Sequence, residues 1–178
     1  MPERGRIGIF NRSHYEEVIV VRVHPEVLGD EQLPRGGENH PRWNERFESI
    51  RDMERHLARN GTAILKFWLN VSKKEQRRRL LARMEEQEAN WKFSASDVAE
   101  RAHWDDYMRA YEDALGATST PWAPWYAIPA DDKPYMRARV AEIVADTLEA
   151  LPLRFPEISR DEKKRMAELH AKLRKGKL

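Results

Sequence analysis

Polar side chains suited to phosphate and metal chemistry follow a short apolar run near the start of the chain. Residues 7–10 (IGIF) predict a buried strand, and the polar residues after it are Asn11, Arg12, Glu16 and Glu17. In open α/β sheets, ligands bind beyond the carboxyl ends of the strands. A guanidinium matches phosphate oxygens, and magnesium takes carboxylates together with substrate phosphates. The segment therefore predicts a phosphate or magnesium site, although an ordinary helix start capped by Ser13 fits the same residues.

A second candidate is a cationic helix predicted to begin after Ser72 and to run to about Glu88. Ser72 and Glu75 have capping-box spacing. Like-charge pairs four residues apart, such as Lys74 and Arg78, each destabilise a helix by roughly 0.2–0.5 kcal/mol. The cations also lie at the helix N-terminus, where they oppose the dipole but add to its attraction for anions. This pattern favours a polyanion clamp over a merely solvated face.

A third candidate is the hydroxyl-rich, proline-stiffened loop at residues 118–125 (TSTPWAPW). It leads into a predicted strand that is followed by Asp131, Asp132 and Lys133, again at the edge of the sheet where ligands bind. Simple packing of tryptophans and prolines explains the loop equally well. The six histidines show no His-x-x-x-His spacing, so the sequence predicts no histidine metal site.

The elements that must position these groups alternate between strands and helices. Strands are predicted at residues 6–10, 62–70 and 125–128. Helices are predicted from residue 43 to Gly61, after Ser72, from Ser94 or Ser96, from residue 104 to Gly116, at residues 136–151 and after Ser159. Residues 15–23 fit a strand by propensity and a helix by the spacing of Ser13 and Glu16. Residues 27–41 predict a loop. This alternation predicts an α/β fold with parallel strands.

Composition narrows the class of protein. The 178 residues suit one domain, with 35% charged residues and a formal net charge of only +2. That charge does not by itself indicate nucleic-acid binding. The sequence contains no cysteine, which excludes disulfides and thiolate metal sites and makes the cytoplasm the default compartment. No apolar run has the length of a membrane span, so no membrane partner is expected.

Taken together and in order, these stretches resemble the family-2 polyphosphate kinases, which transfer a phosphoryl group between inorganic polyphosphate and nucleotides. The matching blocks are residues 7–17 (IGIFNRSHYEE), 66–76 (KFWLNVSKKEQ), 91–94 (WKFS), 104–107 (WDDY) and 118–133 (TSTPWAPWYAIPADDK). The resemblance implies a P-loop kinase-like three-layer α/β/α fold with a helical lid at about residues 73–103. It makes residues 1–157 a partial kinase domain and residues 158–178 a basic C-terminal helix or tail. It also implies a helix at residues 15–23.

The resemblance further implies roles for individual residues. Asn11 and Arg12 would occupy a Walker-B-like motif and act in catalysis. The nucleotide would be bound by Glu16, Glu17, Thr118 and Ser119. Polyphosphate would be bound by Lys73, Lys74, Arg77, Arg78, Arg83 and Lys92. Mg²⁺ is expected as a cofactor that arrives with the substrate phosphates, without a separate protein metal site.

One departure from the family pattern is large. The family's P-loop has no counterpart, because no Gly-x-x-x-x-Gly-Lys occurs and the only Gly-Lys lies at Gly176-Lys177. The resemblance therefore predicts an N-terminally truncated kinase. Its central strand would be missing, and it would transfer phosphate to ADP, AMP or GDP only with a P-loop fragment as partner. Family members usually form homo-oligomers. The alternatives are a non-catalytic polyphosphate-binding remnant and, with less support, a nucleic-acid-binding module.

Overall fold

A computed structural model describes residues 1–30, 43–88 and 90–176 of the chain. Its elements, in order, are α1 (Glu16–Val23), α2 (Trp43–Arg59), β1 (Lys66–Asn70), α3 (Lys73–Glu85), α4 (Ala95–Glu100), α5 (Trp104–Thr118), β2 (Trp125–Pro129), α6 (Lys133–Ala150) and α7 (Arg160–Arg174). A 3₁₀ helix, Pro25–Asp30, begins the predicted loop at residues 27–41, and the rest of that loop lies outside the described residues.

The described sheet consists of β1 and β2, which pair in parallel with Lys66 opposite Trp125 and Leu69 opposite Ile128. Both strands are rich in aromatic and aliphatic residues, which favour the pleated conformation. Parallel neighbours need a long crossover connection, and here α3, α4 and α5 supply it. The predicted α/β class with parallel strands is therefore confirmed.

The strand predicted at residues 6–10 is wrong. These residues follow an irregular path, and Ile7, Ile9 and Phe10 are 70%, 92% and 66% exposed. A strand depends on a neighbour that accepts and donates its backbone hydrogen bonds. Within the described residues, β1 and β2 pair only with each other, so this apolar run has no adjacent strand.

A helical core packs beside the sheet. It is formed by buried residues of α1, α2 and α5 with Tyr15, and its members are Tyr15, Val18, Ile19, Phe47, Ile50, Ala110 and Ala114. Residues 16–23 are thus helical, as the resemblance implied and against their strand propensity. Burial of Val18 and Ile19 between two other helices explains this outcome, because tertiary packing outweighs small intrinsic propensities.

Most predicted helix ends are confirmed. Gly61 follows α2 with φ +87°, a conformation that glycine adopts without strain. The side chains of Ser72 and Ser94 accept backbone hydrogen bonds at the starts of α3 and α4. Two details differ. Gly116 does not end α5, which continues to Thr118. The capping box at Ser72 is incomplete, because the Glu75 carboxylate binds arginines instead.

The chain divides into two units, Met1–Val140 and Ala141–Leu178. In the second unit, Ser159 and Glu162 form a complete capping box that starts α7, so of the two predicted alternatives, helix or tail, residues 160–174 form the helix. Among the described residues, no helix combines the length and the apolar character that crossing a membrane requires.

Candidate functional site

The segment from Asn11 to Glu17 holds its arginine in an unusual backbone conformation. Arg12 has φ +72°, in the left-handed region that residues with a Cβ rarely adopt. Such a conformation costs about 1–3 kcal/mol and occurs often at functional sites. The Arg12 side chain is 82% exposed, and its Nε lies 3.4 Å from Oε1 of Glu16. Asn11 is exposed beside it. A solvent-exposed guanidinium, paired on one side with Glu16, therefore projects from a strained turn.

The two glutamates of this segment are each paired with an arginine. Glu16 contacts Arg12, and Glu17 accepts a hydrogen bond from Arg46 of α2. Across the described residues, no group of three acidic or histidine side chains is placed to hold a metal ion. Glu16 and Glu17 each contact an arginine in this structure, and their role toward magnesium stays a prediction.

The cationic helix α3 begins at the carboxyl edge of the sheet. The Ser72 backbone N–H donates to Oδ1 of Asp131 at 2.7 Å, and the Ser72 hydroxyl caps the helix by accepting from the Glu75 N–H at 3.1 Å. Nη2 of Arg79 donates to the carbonyl oxygens of Ala130 and Asp131 at 2.7 and 2.9 Å. These bonds fix the first two turns of α3 against the segment that follows β2.

The fixed helix borders a cleft of about 250 Å³ that is lined mainly by cations: Arg78, Arg79, Ala82, Arg83, Glu86 and Lys133. Arg78 holds Glu75 through a bidentate pair at 2.6 and 2.7 Å. Hydrogen bonds from Arg78 and then Arg79 lower the pKa of Glu75 to about 2. Arg83 contacts Asp97 of α4 at 3.2 Å. The cleft thus offers guanidinium and ammonium donors in one place, which suits several phosphate oxygens.

The segment from α3 to residue 103 is tied together by its own polar contacts. Nη1 of Arg101 donates to the Lys73 carbonyl at 2.8 Å and to Oε1 of Gln76 at 2.7 Å. Nζ of Lys73 lies 5.9 Å from the centre of the Trp104 ring. The exposed residues Lys74 and Arg77 lie on the same helix. Lys92 belongs to a 3₁₀ turn, and its side chain lies outside the described residues.

The two candidate residues at the loop after α5, Thr118 and Ser119, differ in their exposure to solvent. Thr118 is fully buried; its hydroxyl donates to the Ala114 carbonyl at 2.6 Å and accepts from Trp125 Nε1 at 2.9 Å. Ser119 is exposed, and its Oγ accepts from the Trp125 N–H at 3.2 Å. Thr118 is therefore placed to support the loop, while Ser119 is accessible to a ligand.

Behind this loop lies a buried ion pair that the sequence analysis missed. Nζ of Lys66 donates to Glu54 Oε2 at 2.7 Å, to Tyr15 Oη at 2.9 Å and to the Thr118 carbonyl at 2.9 Å. Tyr15 Oη donates to Glu54 Oε1 at 2.8 Å. Burial lowers the pKa of Lys66, and the hydrogen bond to Glu54 opposes that shift. The one available signal was a lysine inside an otherwise apolar strand.

Comparison with known proteins identifies the family. The family model for polyphosphate kinase 2 matches residues 1–155. The chain belongs to the polyphosphate kinase 2 family. It is 52% identical over 177 residues to the ADP-polyphosphate phosphotransferase of Rhodopseudomonas palustris, covering 98% of this chain and 61% of that protein. It is 45% identical over 157 residues to the AMP/ADP-polyphosphate phosphotransferase of Meiothermus ruber, covering 88% of this chain and 55% of that protein.

Solved structures of polyphosphate kinase 2 proteins share the fold. The enzyme from Arthrobacter aurescens superposes with a TM-score of 0.81 at 38% identity, over 94% of this chain and 56% of that one. A protein from Pseudomonas aeruginosa described as a putative polyphosphate kinase 2 gives 0.74 at 31% identity, over 84% of this chain and 30% of that one. This polyphosphate kinase 2 chain therefore spans roughly half or less of these solved relatives.

The predicted site residues of this polyphosphate kinase 2 chain lie at several different places in the structure, and they differ in their exposure and contacts. Of the predicted polyphosphate ligands, Arg78 and Arg83 line the cleft. They are joined there by Arg79, which had no predicted role, and by Lys133, which was predicted to lie at the edge of the sheet where ligands bind. Asn11 and Arg12 lie on their own strained turn. Glu16 and Glu17 are engaged by arginines, and Thr118 is enclosed. The Ser72–Glu75 spacing and the like-charge pairs identified the cationic helix, and the structure places Lys133 in the same cleft.

Proposed function

We propose that this chain supplies the polyphosphate-binding lid and the arginine-bearing turn of a phosphotransferase that moves phosphoryl groups between polyphosphate and a nucleoside mono- or diphosphate. The observation that carries the proposal is the cationic cleft of Arg78, Arg79, Arg83 and Lys133, in a chain that belongs to the polyphosphate kinase 2 family. Relatives named for ADP-, AMP/ADP- and NDP-polyphosphate phosphotransfer support the substrate class.

The chemistry of the cleft fits a chain of phosphates better than a single one. Arg79 is fixed by two backbone carbonyls, so it orients the helix, whereas Arg78 and Arg83 are held by single carboxylates, those of Glu75 and Asp97, with which a polyanion can compete. Exposed Lys74 and Arg77 extend the cationic surface along α3. We assign residues 73–103 as a lid over the phosphate chain, in which Lys73 and Lys92 add charge.

In the proposed reaction, a terminal phosphate oxygen of the nucleotide attacks the end phosphorus of polyphosphate. One P–O bond forms, the P–O bond to the rest of the chain breaks, and polyphosphate leaves shortened by one unit. The exposed Arg12 guanidinium would contact the transferred phosphoryl group, where it offsets negative charge. Asn11 would donate a hydrogen bond beside it. Glu16, Glu17 and Ser119 would face the nucleotide.

Mg²⁺ belongs to this proposal only as a companion of the substrate phosphates. When bound there, it would neutralise phosphate charge, as is usual for phosphoryl transfer. The described carboxylates do not form a cage for it. Titrating Mg²⁺ into the protein without phosphates should therefore show no specific binding. When Mg²⁺ is present, the stoichiometry of polyphosphate binding to the protein should change. Tight binding of Mg²⁺ to the protein alone would contradict this assignment.

A P-loop normally supplies the backbone N–H groups and the lysine that hold the β- and γ-phosphates. This sequence has no such motif. We therefore propose that transfer by this chain requires a P-loop fragment equivalent to the part of its relatives that it does not span. The alternative, favoured by the same missing motif, is a polyphosphate-binding remnant without chemistry. The lack of cysteine fits a cytoplasmic location for either protein.

Activity measurements separate the two alternatives. The chain is mixed with polyphosphate, Mg²⁺ and ADP, AMP or GDP, with and without the P-loop part of the Rhodopseudomonas palustris relative, and nucleotide products are followed by chromatography. We expect turnover only in the complemented mixture and expect Arg12→Ala to reduce it by about a hundredfold or more. Complemented, folded protein that binds polyphosphate without turnover would establish the remnant.

Binding measurements test the cleft itself. Polyphosphate affinity should decrease as salt increases, because binding releases counterions. Arg78→Ala/Arg83→Ala should weaken it by about a hundredfold or more, since each charge-assisted contact contributes about 1.5–3 kcal/mol. Arg4→Ala/Arg59→Ala, which removes the same charge from other exposed positions, is the matched control. Equal losses in both variants would contradict a specific cleft, and stronger binding of RNA at equal phosphate would favour nucleic acid.

A further inference from the structure

The buried ammonium of Lys66 has all of its hydrogen-bonding capacity used. Its three N–H donors meet Tyr15 Oη, Glu54 Oε2 and the Thr118 carbonyl at 2.7–2.9 Å. The side chains of Lys66 and Glu54 are only 7% and 2% exposed. Lys66 therefore has no free donor for a ligand. Any effect of Lys66 on a ligand must come from how it positions the groups to which it donates.

Two of those groups, Tyr15 and Thr118, belong to the two segments assigned to the nucleotide, and the third, Glu54, lies on α2. Tyr15 lies three residues after Arg12 and directly before Glu16, while Thr118 directly precedes the exposed Ser119. The segments are about a hundred residues apart in the chain. Lys66, on β1, contacts both. One side chain therefore links the strained arginine turn to the loop before β2.

Aromatic packing strengthens the same connection. The Tyr15 and Trp125 rings meet edge to face with centroids 4.8 Å apart, and Lys66 Nζ lies 5.2 and 5.3 Å from those two ring centres. Trp125 in turn donates its indole N–H to the Thr118 hydroxyl. Every member of this network is thus held by at least two directed contacts, which leaves little freedom in how the two segments lie.

Stability alone does not account for such an arrangement. Replacing a buried ion pair by apolar residues of similar volume is often neutral or stabilising, because the pair must overcome its own desolvation. Directed hydrogen bonds, in contrast, define relative position. The backbone at Arg12 must be held in position in this way, because a left-handed conformation at a residue with a Cβ persists only when the surrounding structure enforces it.

We propose that Lys66, with Glu54 and Tyr15, is a positioning residue that sets the distance and orientation between the Arg12–Glu17 turn and Ser119, and so the geometry of the nucleotide site. This inference rests on the proposed function for the identity of the ligand. The positioning itself is independent of the proposed function, because it is a property of the protein alone and can be measured without nucleotide.

The distance between the two segments tests the inference directly. The chain has no cysteine, so Asn11→Cys and Ser119→Cys accept one spin label each. Pulsed dipolar spectroscopy then gives the distribution of distances between them. We expect a narrow distribution in the parent and one about twice as broad or broader in Lys66→Met/Glu54→Met. Tyr15→Phe removes only a hydroxyl and should also broaden the distance distribution. This variant provides the test if the double variant fails to fold.

A control and a second readout separate positioning from general loosening. Ile50→Val shortens a core residue of α2 outside the network and should leave the distribution unchanged. In unlabelled protein mixed with the P-loop part of the Rhodopseudomonas palustris relative, Lys66→Met/Glu54→Met should weaken ADP binding about tenfold, while polyphosphate affinity at the cleft stays within about twofold. A distribution as narrow as the parent's in the folded double variant, or in Tyr15→Phe if the double variant does not fold, would overturn the inference. Failure of the complemented parent chain to bind ADP would instead contradict the proposed function.

Discussion

The backbone N–H of Ser72 donates a 2.7 Å hydrogen bond to the carboxylate of Asp131. This bond joins the residue that caps α3 to the segment that follows β2. It fills one of the donor positions that a helix start leaves open, and it places the first turn of the cationic helix at the carboxyl edge of both strands. Arg79 strengthens the same junction from the second turn.

Loss of the Asp131 carboxylate should therefore loosen α3. We expect Asp131→Ala to lower the free energy of unfolding by about 1 kcal/mol, because a hydrogen bond to a charged group is lost at an exposed site. It should also speed amide exchange at Ser72. Asp131→Asn, which keeps an acceptor oxygen, is the matched control and should retain most of the protection. Equal exchange rates in wild type and Asp131→Ala would show that the bond does not hold the helix.

Glu75 limits the positive charge that α3 can present. Hydrogen bonds from Arg78 and Arg79 hold its pKa at about 2, so it stays ionised at any pH near neutrality. We expect Glu75→Gln to tighten polyphosphate binding by about threefold to tenfold, because both guanidinium groups lose a competing anion. Glu86→Gln, at the far end of the cleft, removes one charge without freeing these arginines. An equal gain from both variants would indicate a general charge effect.

The buried pair of Lys66 and Glu54 predicts a strong asymmetry in stability. Lys66→Met should lower the free energy of unfolding by about 3–5 kcal/mol, because Glu54 is left charged and buried without its partner. Lys66→Met/Glu54→Met removes both charges and should regain at least half of that loss, as the remaining penalty comes from polar groups rather than an ion. Urea titration measures both. A double variant less stable than Lys66→Met would contradict this interpretation.

His24 makes the stability of the fold depend on pH. Its ring contacts Glu100 at 2.9 Å and Glu26 at 3.0 Å, with the rings of His103 and Tyr107 beside it. Hydrogen bonds to Glu100 and then Glu26 raise the pKa of His24 above its ordinary 6.5. The protonated ring is therefore favoured in the folded state. Its contribution is fully present below about pH 6.5 and is lost as pH rises through the raised pKa.

Unfolding by urea between about pH 5 and pH 9 checks this dependence. The free energy of unfolding of the wild type should decrease as pH rises above neutrality. In His24→Gln this decrease should be smaller, because the contribution of His24 is absent. His103→Gln tests the neighbouring imidazole. If His24→Gln and wild type gave parallel curves over the whole range, the ion pairs of His24 would not contribute to folding.

Local patterns in the sequence predicted much of this fold. Helices α2, α5 and α6 follow from apolar spacing, the starts of α3 and α4 from serine caps, and β2 from its aromatic run. Each of these depends on residues near one another in the chain. Residues 15–23 show the limit, because their propensity favours a strand while the spacing of Ser13 and Glu16 favours a helix. Packing of Val18 and Ile19 against other helices decides for the helix.

The errors came from long-range relationships. Residues 7–10 have the composition of a strand, yet a strand also needs a neighbour, which composition does not reveal. Lys66 and Glu54 are twelve residues apart on different elements, so no spacing rule pairs them. The cleft was half predicted: α3 carried the visible charge, but Lys133 joins it only because β1 and β2 are parallel neighbours.

If polyphosphate binds at the cleft beside α3, the arginine side chains there will report its binding. In protein labelled with ¹⁵N-arginine, titration with polyphosphate should shift the Nε–H signals of Arg78 and Arg83 in a saturable manner, while that of Arg59 stays unchanged. Both shifts should saturate with the same affinity as calorimetry gives. Saturable binding that leaves the Arg78 and Arg83 signals in place would show that polyphosphate binds elsewhere.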